Sequence, residues 1–416
     1  MKRIIFCGGF IISAILSEAQ PVVLKNDQEP KDSFYTLTPV EVRAVRAGEN
    51  SPFTKTNISK NEVASRNLSQ DLPFLLNQTP SVVVNSDAGN GVGYTGIRIR
   101  GTDATRINVT LNGIPYNDAE SQGTFFVDLP DFSSSAGSIQ IQRGVGTSSN
   151  GAGAFGASIN ISTNEINKAA FAEINNSFGS FGTFKSTIKA GTGLRKGFTS
   201  EVRLSCIGSD GYVDRASSNL KSLYYTTAYI KDKTSLRLNI FSGKEKTYQA
   251  WYGISEADLK AGNRTINYAG TEKPGGAYDN ETDNYTQSHY QLFFNQQLSR
   301  RIGFNTALFY TKGKGYYEQY KADEDYADYG MQNPPSNGSP ITASDMIRQL
   351  WLDNNFYGNI FSLHYKYKKT QATFGGAYTR YDGKHFGKVI WADEGLTSNK
   401  NWYDHNALKT DFQYLF

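Results

Sequence analysis

The residues able to do chemistry in this chain are few, and their spacing points away from catalysis. Gly151-Ala-Gly153-Ala-Phe-Gly156 satisfies G-x-G-x-x-G. That fingerprint binds pyrophosphate where a strand precedes it and a helix follows. Here the next residues alternate as a strand, through Ile159 and Ile161. The glycines are therefore read as allowing close backbone approach or positive φ, and no lysine follows to make a phosphate loop. His289, His364, His385 and His405 form no metal-ligand spacing, and no nucleophile sits in an elbow or triad context. The chain is read as a non-enzyme with no cofactor and no metal. The acids Asp323, Glu324, Asp325 and Asp328 have the oxygens to hold Ca²⁺, but such a run reads better as a solvated loop. Trp251 and Tyr252 have flat rings with polar tips, suited to stacking on a flat or chelated ligand or to a membrane-surface girdle.

The elements that must position these groups are mainly strands. Between Ile97 and Thr163 four short segments alternate: Ile97 and Ile99; Ile107, Val109 and Leu111; Ile139 and Ile141; Ile159 and Ile161. Each presents one apolar and one hydrogen-bonding side, the pattern of a half-buried sheet. Asn112-Gly113 signals a turn, and Gly101 and Gly144 each follow an arginine. Leu68, Leu72, Leu75 and Leu76 recur at helical spacing, and Thr79-Pro80 closes that helix before an extended Ser81 to Val84. Aromatics make up 13% of the chain, yet no apolar run reaches the roughly 18 residues of a membrane helix. A net charge of +4 without a polybasic block gives no support to nucleic-acid binding.

The run RIRGTDATRINVTLNGIPYND (Arg98 to Asp118), followed by SIQIQRGVGTSSNGAGAFGASINIST (Ser138 to Thr163), resembles the plug domain of a TonB-dependent outer-membrane receptor. The resemblance implies a small mixed α/β plug inside a large antiparallel transmembrane β-barrel, about 22 strands in the family. It implies a Gram-negative outer-membrane location and import of a scarce nutrient. The partners it brings are a TonB-type energy transducer, outer-membrane lipid, the barrel assembly machinery and a small chelated nutrient. Iron chelates such as ferric siderophores stand first, then cobalamin, haem or an oligosaccharide; a passive porin or adhesin is the reading from another class.

The rest of the chain is read in that frame. Lys2 and Arg3, an apolar segment from Ile4 to Leu16, and Ser17-Glu18-Ala19 make residues 1–19 a signal peptide, which leaves Cys206 as the single cysteine of the mature chain. Residues 20–51 form a flexible segment that includes Leu37 to Ala47. In the family such a stretch, here Val40, Glu41, Val42, Arg43 and Ala44, is the Ton box that adds a strand to the transducer, and alternating Val40, Val42 and Ala44 suit that pairing. About seventeen residues between the cleavage site and this box leave no room for a further folded domain.

The plug is expected over 52–165. Its loops Asp87 to Thr95 and Tyr116 to Asp128 correspond to loops that touch substrate in the family, which nominates Asn90, Tyr94, Tyr116, Asn117 and Gln122 alongside Trp251 and Tyr252. Family resemblance gives Arg100 and Arg143 the role of locking the plug onto glutamates of the barrel wall; the alternative is arginines facing a hydrated lumen. Over 166–416, ten strands of about ten residues alternate short and long connections, the longest being Glu245 to Tyr285, Lys314 to Asn354 and Gly383 to Ala407. Ten strands enclose too little space for a plug of this size, so a fragment is expected: a whole plug and a little under half a barrel.

Overall fold

The computed structural model describes residues 46–48, 51–146 and 154–415. The signal-peptide reading, the proposed Ton-box residues Val40 to Ala44, and Gly151 and Gly153 lie outside the described residues. Two bodies of strand structure are present. The first opens with β1 (Lys55–Ser59), α1 (Lys60–Arg66), α2 (Leu72–Leu75), β2 (Val82–Ser86) and β3 (Thr95–Ile99). It continues with β4 (Ile107–Leu111), β5 (Ile114–Pro115), β6 (Ser138–Arg143) and β7 (Ala157–Ser162). A five-stranded sheet runs in the order β1-β6-β7-β4-β5, with β4 and β7 parallel, while β2 and β3 pair separately. All nine aliphatic residues of the four alternating segments are buried. Asn112 and Gly113 both take positive φ, as the tight turn between β4 and β5 requires.

The other face of this sheet is not wet. Gln140, Gln142, Ser158 and Asn160 are buried as well, satisfied largely by one another, by neighbouring backbone and by residues 46–48. The helix also differs from its sequence reading. Asp71 stands at the N-cap position of α2 without a side-chain bond to a helix amide and Pro73 stands in the first turn, so the helix begins after Leu68, which is exposed. A separate helix, α1, precedes it, started by a capping box between Ser59 and Glu62.

The second body is one antiparallel meander of ten strands. It comprises β8 (Phe171–Phe178), β9 (Phe184–Gly191), β10 (Phe198–Ser209), β11 (Ser218–Lys231), β12 (Thr234–Tyr248) and β13 (Thr282–Gln297). It then runs through β14 (Ile302–Asp325), β15 (Ala343–Tyr367), β16 (Thr370–Ala392) and β17 (Tyr403–Leu415), each strand pairing with the next. Short connections such as Asp232-Lys233 and Lys368-Lys369 gather at one end. The long ones, 249–281, 326–342 and 393–402, gather at the other, and the first of them carries α3 (Glu256–Ala261).

Strand identities match the sequence reading, but β13 to β16 run to 16, 24, 25 and 23 residues. Their extensions lie at the long-connection end, where buried apolar residues such as Met346 and Val389 are mixed with buried polar ones such as Glu318 and Ser344. Hydropathy alternation fades there while backbone pairing continues.

Along each strand the faces are sorted. On β9, Phe184 and Ile188 point outward and Lys185, Thr187 and Lys189 are buried inward. The same holds for outward Val202 and Leu204 against inward Arg203 and Ser205 on β10. An apolar exterior around a polar interior is the inverse of a soluble sandwich and the pattern of a membrane barrel wall. The plug packs into the concave side, and its core continues into the wall: Phe132 lies 5.1 Å from Phe241 and 6.3 Å from Tyr224, centre to centre.

Gly156 shows what its motif does here. It leads into β7, not a helix, and a Cβ at that position would collide with the Thr102 hydroxyl and lie 3.1 Å from the Arg106 carbonyl. Its amide donates to that carbonyl at 2.8 Å. Close backbone approach explains this glycine.

Candidate functional site

Plug and wall meet at two polar clusters, each built from residues far apart in sequence. The deeper one centres on Asp131, held in a left-handed conformation (φ 52°) just before the 3-10 turn Phe132–Ser135. Its carboxylate accepts from Lys185 of β9 at 3.0 Å, Thr187 at 2.6 Å and Ser205 at 2.6 Å, and lies 3.3 Å from the Arg203 guanidinium of β10. Arg203 also donates to the Asp131 carbonyl, and Lys185 to the Asn67 carbonyl at 3.0 Å. All three charges are shielded from solvent. Burial by itself would raise the Asp131 carboxyl, but Arg203 and Lys185 outweigh it and hold the group well below the usual carboxylate range.

Arg100 and Arg143 stand elsewhere. Arg143 donates to the Pro80 carbonyl at 3.1 Å, and Arg100 sits at positive φ with its amide on the Ser81 carbonyl. Neither pairs with a carboxylate among the described residues. The ion cluster that joins plug to wall has the acid on the plug and the bases on the wall.

The second cluster lines a cavity of about 540 Å³ at the long-connection end, within the range of small-molecule sites. Tyr94, Tyr116, Asn117 and Trp251, four of the seven residues nominated for substrate contact, line it. Tyr94 meets Trp251 edge to face at 6.0 Å, Trp251 meets Tyr317 at 6.0 Å, and Tyr316 packs on Trp351 at 4.5 Å, so aromatic rings supply much of the wall. Asn117 is tied down, its side chain bonding the Val109 amide at 2.7 Å and the Ile107 carbonyl at 2.8 Å.

The other three nominated residues lie off the cavity. Asn90 bridges plug to wall through Ser209 at 2.6 Å, Gln122 folds back on the Ala119 carbonyl, and Tyr252 is exposed beside Gln319.

Three carboxylates that no sequence pattern singled out form the cavity floor: Asp128 from the plug, Glu245 from β12 and Asp283 from β13. The Tyr94 hydroxyl donates to Asp283 at 2.5 Å and lies 3.3 Å from Glu245. Burial, then the neighbouring Asp283 and Asp118, push Asp128 well above the ordinary carboxylate value. At the mouth, Glu120 accepts from Tyr381 at 2.5 Å and His385 at 2.8 Å. Burial opposes its ionisation, but those two donors prevail and hold it below its usual value. No group of three or more His, Cys, Asp or Glu among the described residues is placed to hold a metal ion.

The sequence profile of the TonB-dependent Receptor Plug Domain matches residues 47–158, from the segment before β1 to the start of β7. Residues 47–158 belong to the plug-domain family of TonB-dependent receptors. Solved structures share its fold. The ferric citrate transporter FecA in the unliganded form has a TM-score of 0.67 at 15% identity, covering 89% of this chain and 53% of that one. The closed form of the ferric-catecholate import receptor Fiu from E. coli K12 gives 0.63 at 15%, covering 90% and 55%. The siderophore receptor PiuA from Acinetobacter baumannii gives 0.59 at 13%, covering 90% and 55%. This chain thus spans about half the length of the receptors it resembles. No curated protein matches it.

A further acid governs plug stability. Asp71, at the N-cap position of α2, is buried beneath Thr95, whose hydroxyl donates to it at 3.2 Å, and burial pushes its carboxyl up to about 8. The folded plug then holds a proton that the unfolded chain, titrating near 4, has released. Plug stability from this group should fall by about 1.4 kcal/mol per pH unit between about 4 and 8 and level off above. Asp71→Asn is expected to flatten that slope and raise the thermal midpoint at pH 8, read by proteolysis of the plug during heating.

Proposed function

We propose that the protein works in the outer membrane as an energised importer of a small chelated nutrient, with ferric siderophores as the first class and cobalamin, haem or an oligosaccharide behind them. The observation that carries this reading is the placement of a TonB-dependent plug inside an apolar-faced β-sheet wall, with a ligand-sized cavity between them at the long-connection end. The structural neighbours named for ferric citrate, ferric catecholate and siderophore transport support the ligand class.

The path of force supports the same reading. Arg46 donates to the Ser138 carbonyl at 3.1 Å and the Asn160 carbonyl at 2.9 Å. Ala47 exchanges two hydrogen bonds with the Gln140 side chain, at 2.8 and 3.1 Å. The end of the proposed Ton box is thus fastened to β6 and β7, in the middle of the plug sheet. A transducer that pairs with Val40 to Ala44 and pulls would load these strands first. No catalytic role is assigned: the neighbours are transport receptors, and the cavity is built for binding.

The test is uptake of radiolabelled ferric siderophore by cells producing the receptor, with and without Leu37 to Ala47. Uptake should vanish in the deletion while surface binding stays. Equal uptake in both would replace the importer with a passive pore, and a receptor that neither binds nor imports would end the iron reading for the chelates used.

A further inference from the structure

The charge balance of the cavity carries one step more. Asp118, Asp128, Glu245 and Asp283 line it, and among the described residues no lysine or arginine does. Cations nearby are engaged elsewhere. Arg348 is turned to Gln319 and the Tyr329 hydroxyl at 3.0 to 3.2 Å, and Lys388 lies over the Trp351 and Phe386 rings at 5.5 Å. Two of the acids have partial satisfaction: Asp283 and Glu245 share the Tyr94 hydroxyl, and Thr247 reaches Glu245 at 3.4 Å. Asp128 has none. It is 5% exposed, lines the cavity floor, and no donor meets its carboxylate among the described residues. A buried carboxyl without donors either keeps a proton or takes a counter-cation in its place, and the opening it faces is where a ligand sits.

We propose that the cavity takes a cationic ligand, an amine-bearing chelate whose ammonium seats on Asp128, Glu245 and Asp283 while its apolar body lies against Tyr94, Tyr116 and Trp251. Both halves of the site favour this class. Charge-assisted hydrogen bonds from an ammonium to carboxylates are stronger than neutral ones, and the faces of Trp and Tyr attract cations. A polyanionic chelate would meet four acids, against which the described lining sets only His289 and a His385 already engaged by Glu120. The identification of the ligand as a chelate rests on the importer reading; the charge selectivity does not.

The experiment therefore has two arms, both reading quenching of tryptophan fluorescence in outer membranes containing the full chain, since Trp251 and Trp351 line the cavity. In the first, the aromatic dication methyl viologen is compared with the dianion naphthalene disulfonate. The dication is expected to bind about tenfold or more tighter, and the double substitution Asp128→Asn with Asp283→Asn should shrink that ratio towards one. Equal binding of the two ions, tighter binding of the dianion, or binding of neither overturns the proposal, and this comparison needs no variant to fold.

In the second arm, ferrioxamine B, which carries a free ammonium, is compared with its N-acetylated form and with a ferric tris-catecholate anion. Tightest binding by ferrioxamine B supports the proposal; equal binding by the acetylated form, or preference for the anion, overturns it. Cation selectivity in the first arm with no chelate bound in the second keeps the charge selectivity and removes the chelate reading.

Discussion

Replacing Asp131 by asparagine is expected to unlock the plug. The substitution keeps the shape but leaves Lys185 and Arg203 facing each other, buried, without their shared counter-ion. Breaking a buried ion pair from one side costs about 3–5 kcal/mol, because the remaining charge has neither water nor partner. The expected result is a receptor that assembles but holds its plug loosely. Cells producing it should admit a large antibiotic such as vancomycin without energy from a transducer, and the plug should become open to trypsin. An unchanged barrier would show that the cluster does not hold the plug.

An all-apolar replacement of the three groups, Asp131→Leu with Lys185→Met and Arg203→Met, should recover part of the barrier. Buried ion clusters exchanged for packed apolar side chains are often neutral or stabilising. The pH dependence has a definite sign. A carboxyl depressed by its partners contributes fully above its unfolded value near 4 and loses that contribution only as pH falls through the lower folded value. Mild acid should therefore leave the lock closed.

Gly243→Ala is expected to disturb lock and cavity together. Gly243 lies on β12 where the plug turn comes closest to the wall. A Cβ there would collide with the Asp128 carbonyl and lie 2.7 Å from the Pro130 ring. Neither neighbour is a flexible side-chain end. The turn carries Asp128, on the cavity floor, and Asp131, in the ion cluster, so a shift of the backbone moves both. Overpacking of this kind costs about 1–3 kcal/mol. Ligand affinity should fall and passive leakage should rise in the same variant, measured by the quenching and antibiotic assays above. Gly338→Ala, in the connection 326–342 with open space around it, should change neither.

The two variants mark the divide between what local sequence fixed and what it left open. The alternation of Ile97 to Ile161 placed β3, β4, β6 and β7 of the plug but not β1 or β5, and period-two runs placed all ten wall strands. A strand's two faces are decided by adjacent residues and the pleat, so the signal is local. The turn at Asn112-Gly113 was legible for the same reason, since it depends on two residues that tolerate positive φ. Strand ends were not legible where buried polar residues such as Glu318 and Ser344 stand close to buried Tyr320 and Met346, as on β14 and β15, because there hydropathy stops alternating while pairing goes on. Four of the nominated ligand residues line the cavity, Tyr94, Tyr116 and Asn117 from plug loops and Trp251 from the connection after β12. Asn90 instead spends its side chain on the wall.

The two clusters belong to tertiary structure alone. Asp128, Glu245 and Asp283 are separated by more than thirty residues at each step, and the strand register between β12 and β13 is what sets two of them side by side beneath Tyr94. Asp131 has no sequence feature that distinguishes it from Asp118 or Asp128. Its role follows from a left-handed turn that aims it at Lys185 and Arg203, two residues whose inward direction the alternation of β9 and β10 dictates. Alternation determines which way a side chain points; only the folded chain determines what it meets, because long-range electrostatic partners leave no local periodicity to read.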